Sequence, residues 1–94
     1  MTSPAEPQPQ AALAALGLRS GAVVRFRRRE GGRWRSATVE RVERDGSIGL
    51  RDPKGAARAI PSELIEVAGE GPRGGRVWEP LPEVIARVEQ LRLL

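Results

Sequence analysis

The stretch R-F-R-R-R-E-G-G-R-W-R, residues 25–35, gathers the side chains best suited to holding a ligand. If its halves run as strands around the E-G-G turn, Arg25, Arg27 and Arg29 share one face, with Arg33 and Arg35 across the hairpin. Guanidiniums in that array, beside the single carboxylate of Glu30, can follow a phosphate backbone. Trp34 adds a ring on which a base could stack. The same arginines admit a plainer account: charges on a solvated strand face, partnered across strands by Glu40, Glu43 and Asp45. The two accounts differ in whether the guanidiniums are already paired.

Other chemistry finds little to work with. The chain has no Cys and no His, which removes thiol nucleophiles, imidazole bases and nearly all zinc chemistry. Glu40 and Glu43 lie on a hairpin without an acid–base partner, and Ser20, Ser36, Ser47 and Ser62 have no base beside them. The glycine-rich G-E-G-P-R-G-G at 69–75 lacks the Lys-Ser/Thr pair of a phosphate-binding loop, so it reads as a linker. The expectation is a protein that is not an enzyme and calls for no cofactor or metal.

Charge is unevenly placed. The formal net charge of the 94 residues is +4, and Lys54 is the sole lysine. Arg, Ala, Gly and Pro share GC-rich codons, so part of the arginine excess reports genome composition. Residues 19–67 nevertheless carry twelve basic and seven acidic side chains, whereas 68–94 carry four of each. The basic character belongs to the middle of the chain, where a polyanionic partner fits. The segment A-A-L-A-A-L-G-L at 11–18 is too short to span a bilayer and no basic residues precede it, so the cytoplasm is the expected location.

The elements that must position these residues follow from the periodicity. M-T-S-P-A-E-P-Q-P-Q should be disordered, and 11–18 can form a turn or two of helix ended by Gly17, provided Leu13 and Leu16 dock on something. Alternation then places Val24 and Phe26 on one face, followed by Ala37 and Val39 in phase and Val42 out of phase, which predicts a bulge. Asp45-Gly46 predicts a hairpin turn, Ile48 and Leu50 point inward, and D-P-K-G at 52–55 fits a type I turn. A-A-R-A-I is a fourth strand, P-S-E-L a helical turn and I-E-V a short fifth strand. Strands this short close most readily into a small barrel, which protects their edges.

The elements S-G-A-V-V-R-F, W-x-x-A-x-V (Trp34, Ala37, Val39) and I-P-x-x-x-L/I-x-x-V (Ile60, Pro61, Leu64, Val67) resemble the SH3-like small barrels of the Tudor and KOW type. The resemblance covers about residues 19–67. It implies a mainly β, five-stranded antiparallel barrel at 19–67, a disordered or short helical segment at 1–18, a Gly/Pro linker at 68–80 and a C-terminal helix or interaction peptide at 81–94. Many Tudor domains hold methylated side chains in an aromatic cage. The cage positions fall near Arg28 and Arg35 here, and one Trp makes no cage. The other habit of the group, nucleic-acid contact through a basic face, implies a role for Arg25, Arg27, Arg29, Arg33, Arg35 and Trp34 on DNA or RNA, with little sequence preference.

The tail opens with Pro82 in a first helical turn. Leu81, Val84, Ile85, Val88 and Leu91 then recur at helical spacing, and Glu83 and Arg87 are placed for an i,i+4 pair. Such a helix can dock on the barrel or pair with a second copy. Its end, Gln90-Leu91-Arg92-Leu93-Leu94, also resembles the pentapeptide by which bacterial replication and repair proteins bind the DNA sliding clamp, with Arg92 and Leu94 departing from the usual pattern. That resemblance implies partner contacts by Gln90, Leu91, Leu93 and Leu94, and an adaptor role in DNA replication or repair.

Overall fold

A computed structural model of the chain describes residues 9–93. Disorder was expected of residues 1–10: residues 1–8 lie outside the described range, as does the partner contact expected of Leu94, whereas Pro9 and Gln10 are the first two residues of a helix. In chain order the elements are α1 (Pro9–Ala14), β1 (Val23–Phe26), β2 (Arg35–Val42), β3 (Ile48–Arg51), β4 (Ala57–Ile60), a 3-10 turn (Ser62–Leu64), β5 (Ile65–Glu70), β6 (Arg76–Pro80) and α2 (Leu81–Arg92). The strands form one antiparallel sheet in the order β4-β3-β2-β1-β5-β6. The architecture is mainly β with a C-terminal helix. It has six strands where five were expected, in an open sheet whose outer strands are β4 and β6.

The inward alternation holds throughout. Val24, Phe26, Ala37, Val39, Ile48, Leu50, Ile60 and Ile65 are buried together, and Leu13, Leu18 and Leu81 close the cluster from the flanks. Removing a buried Phe side chain costs about 3–5 kcal/mol, so Phe26 at the centre is the residue whose loss the fold can least absorb. The expected irregularity in β2 is present as a register shift between Val39 and Arg41, which brings Val42 opposite Ile48. The Ala/Leu segment has a physical role: Leu13 of α1 is fully buried, so α1 caps the core. Gly17 ends that segment with φ +78, and a Cβ there would lie 2.8 Å from Val88 Cγ2 and 2.9 Å from Val84 Cγ1. Glycine therefore lets α2 pack directly on this turn.

Residues 68–80, expected as a linker, are instead mostly strand. β5 continues through Glu70, and β6 returns antiparallel to it with Ala68 opposite Trp78 and Glu70 opposite Arg76. Only 71–75 form the turn, closed by the Gly71 N–H donating to the Gly75 carbonyl at 2.6 Å. The density of Gly and Pro at the tip masks the strand residues on either side. In α2 the buried stripe begins at Leu81 and continues through Val84 and Ile85. Arg87 pairs with Glu79 of β6 rather than with Glu83, because the turn from β6 into α2 brings the Glu79 carboxylate to the guanidinium. Among the described residues no helix is long and apolar enough to cross a membrane.

Candidate nucleic-acid interface

The arginines of 25–35 do not share one face. β1 ends at Phe26, so only Arg25 stands on the strand face opposite the core, between Ser36 of β2 and Glu66 of β5. Its Nε donates to Glu66 Oε1 at 2.7 Å. Its guanidinium lies 4.4 Å from the ring centroid of Trp34 and 4.8 Å from that of Trp78. Trp78 arrives there because Ala68, its cross-strand neighbour, shares a face with Glu66 and leaves room for an indole. Arg27 lies 4.6 Å from the Trp34 centroid and its Nη2 donates to Glu30 Oε2 at 2.9 Å. Both guanidiniums thus have a carboxylate and an indole as partners, an arrangement that holds β6 and the β1–β2 loop onto the sheet.

Past Arg27 the chain leaves the sheet. The Arg29 carbonyl accepts from the Gly32 N–H at 3.0 Å, and Gly31 supplies the positive φ of +74 that this turn requires. The turn folds Arg28 and Arg29 against Arg33 and Arg35. These four arginines and Gly32 line an open concavity of about 340 Å³. All four are exposed, and among the described residues none makes an ion pair. Four guanidiniums without a carboxylate partner among the described residues make the concavity cationic.

The carboxylates expected to neutralise these arginines are engaged elsewhere. Glu40 pairs with Arg51, Glu43 pairs with Arg41, and Asp45 accepts from the Ser47 hydroxyl at 2.6 Å. A neighbouring cavity of about 250 Å³ joins Arg35 to the β3–β4 turn, lined there by Asp52, Pro53, Lys54 and Arg58. Asp52 spends its oxygens on that turn: it accepts from the backbone of Lys54 and Ala56, both at 2.9 Å, and from Arg58 at 3.1 Å. The Ala56 N–H, helped by Arg58 and Lys54, holds its carboxyl below the ordinary aspartate value. Lys54 is left exposed in this neighbouring cavity, which shares Arg35 with the arginine concavity, and makes no ion pair among the described residues.

Of the residues expected on this surface, Arg29, Arg33 and Arg35 are brought together and available. Arg25, Arg27 and Trp34 are not: they are half-buried and bound to one another. Two cationic residues were missed. Arg28 fell on the inward phase of a strand that ends before it, and Lys54 is adjacent only through the tertiary fold. In the tail, Gln90 is exposed on the last turn of α2, while Leu91 and Leu93 are 65% and 86% exposed. Leu91 also borders a groove of about 320 Å³ with Gly17, Val67, Val84 and Val88.

Compared with known proteins, the chain matches no family model, no curated protein and no solved structure.

Proposed function

We propose that this protein is a non-enzymatic adaptor that binds the phosphate backbone of nucleic acid through Arg28, Arg29, Arg33 and Arg35, with Lys54 at the margin. One observation carries the reading: four exposed guanidiniums line one concavity with no carboxylate partner among the described residues. Like charges held this close repel one another, and a polyanion relieves that repulsion while releasing its own counterions. Phosphate contacts position a protein without reading bases, so sequence preference is weak. The order β4-β3-β2-β1-β5, with a 3-10 turn leading into β5, supports taking these strands as a twisted SH3-like unit to which β6 and α2 are additions. The Tudor- and KOW-like residues of that unit favour the same reading.

The test is binding of the full chain to nucleic acid across a salt series. Affinity falls steeply with salt, and replacing Arg28, Arg29, Arg33 and Arg35 together by Gln abolishes it while the protein stays folded. Retained binding in that variant, or no binding at low salt, refutes the reading.

The exposure of Gln90, Leu91 and Leu93 favours a protein contact at the tail. A sliding clamp is one such partner, and it requires the last turn of α2 to unwind into an extended peptide. A second copy of the chain meeting α2 is the other, and would make the protein an interaction module with no nucleic-acid role. Clamp binding by the full chain, lost on Gln90→Ala, Leu91→Ala and Leu93→Ala together, separates these from each other. A mass that rises with concentration identifies the dimer.

A further inference from the structure

We infer that the arginine loop takes duplex rather than single-stranded nucleic acid, an inference that rests on the phosphate-binding reading above. Single-strand sites combine a basic groove with aromatic rings on which successive bases stack. This chain has three aromatic side chains, Phe26, Trp34 and Trp78. Phe26 is fully buried in the core. Trp34 is half-buried with the guanidiniums of Arg25 and Arg27 at 4.4 and 4.6 Å from its centroid. Trp78 is half-buried with Arg25 at 4.8 Å and Arg76 at 5.9 Å. The stacking capacity of the molecule is therefore already spent on its own arginines. A base reaching Trp34 must compete with cations held there by Glu66 and Glu30.

What the loop offers instead is charge alone, and charge favours the denser polyanion. Duplex presents one phosphate per about 1.7 Å of axis and releases about 0.9 cation per contact, against about 0.7 for a single strand. Contacts from the four arginines give a salt slope of about −3.6 on duplex and about −2.8 on a single strand. For equal affinities at about 1 M salt, that difference corresponds to about tenfold tighter duplex binding at about 50 mM. If Lys54 joins the contact, the duplex slope steepens to about −4.5.

The experiment is fluorescence anisotropy of the full chain against a short labelled duplex, an unstructured oligothymidylate of equal length, and vesicles containing phosphatidylserine, each across a salt series. The wild type and the Arg33→Gln/Arg35→Gln variant are compared, with circular dichroism to verify folding. The expected result is tighter binding of duplex by about tenfold at low salt, with a slope that the variant reduces by about two. Single strand bound as tightly as duplex, with the same loss in the variant, overturns the duplex inference and leaves phosphate binding standing. Binding of duplex unchanged in the folded variant, or binding of vesicles alone, overturns both.

Discussion

Arg25 and Arg27 differ from Arg28, Arg29, Arg33 and Arg35 in nothing that residue type can express, yet they occupy opposite situations. The first two lie against indoles, with Glu66 and Glu30 as ion-pair partners. The other four line a concavity open to solvent with no such partner among the described residues. Their separation begins after Arg27, one residue past the end of β1. Up to that point Arg25 receives a carboxylate from 41 residues away through the sheet register and Arg27 receives one from Glu30; Arg28, Arg29, Arg33 and Arg35, around the loop and at the start of β2, are left exposed. What divides the two groups is whether a carboxylate and an indole come within reach, which holds for Arg25 and Arg27 and, among the described residues, for none of the other four.

The comparison can be broken experimentally, and the largest expected effect is on binding. Arg33→Gln with Arg35→Gln lowers duplex affinity by about 100-fold at about 50 mM salt. Urea unfolding of that variant stays within about 0.5 kcal/mol of wild type. The Arg25→Gln substitution does the reverse. It removes cation–π contacts worth about 0.5–1 kcal/mol each and a half-buried ion pair worth up to about 1 kcal/mol, so stability drops by about 2 kcal/mol. For a chain of this size that lowers Tm by about 10 °C. Duplex binding at a temperature where the variant is folded changes by less than about threefold. Were Arg25→Gln to abolish binding at unchanged Tm, the division between fasteners and ligand contacts would collapse.

Two smaller effects sharpen its boundary. Lys54→Gln weakens duplex binding by up to about tenfold and reduces the salt slope by about one, provided the site extends from Arg35 to the β3–β4 turn. An unchanged slope confines the site to the β1–β2 loop. Arg58 belongs with the fasteners, through Asp52. The folded state holds the Asp52 carboxyl below its ordinary value, so the stability it contributes is complete above that ordinary value and is lost as pH falls through the lowered one. Asp52→Asn therefore lowers stability near neutrality and flattens the acid limb of a stability–pH curve. An acid limb of unchanged steepness would show that the Asp52 turn and its grip on Arg58 do not contribute.

Much of the sheet was legible because its signals are local. The alternation of Val24 with Phe26, Ala37 with Val39 and Ile48 with Leu50 is itself the imprint of a one-sided core. The D-P-K-G turn and the bulge in β2 carry their geometry in residue type and phase. β6 was not legible: Gly71 to Gly75 announces a flexible connection, and Arg76–Pro80 has too little alternation of its own to outweigh it. Its pairing depends on β5 running on past Val67. Within the site, Arg29, Arg33 and Arg35 could be chosen from their density around the glycine turn. Arg28 was lost by extending a strand three residues too far, through Arg29 rather than Phe26, and Lys54 leaves no local trace.

The sequence by itself determined that a basic, His- and Cys-free chain would alternate its apolar residues into a small β core and crowd its arginines around one turn. Those are properties of neighbours along the chain. Only the tertiary structure decided which arginines are spoken for, because Glu66 and Trp78 reach Arg25 through strand register, and Lys54 reaches the loop through a turn on another hairpin. An ion pair or a cation–π contact acts over a few ångströms of space, whatever the length of chain between its partners.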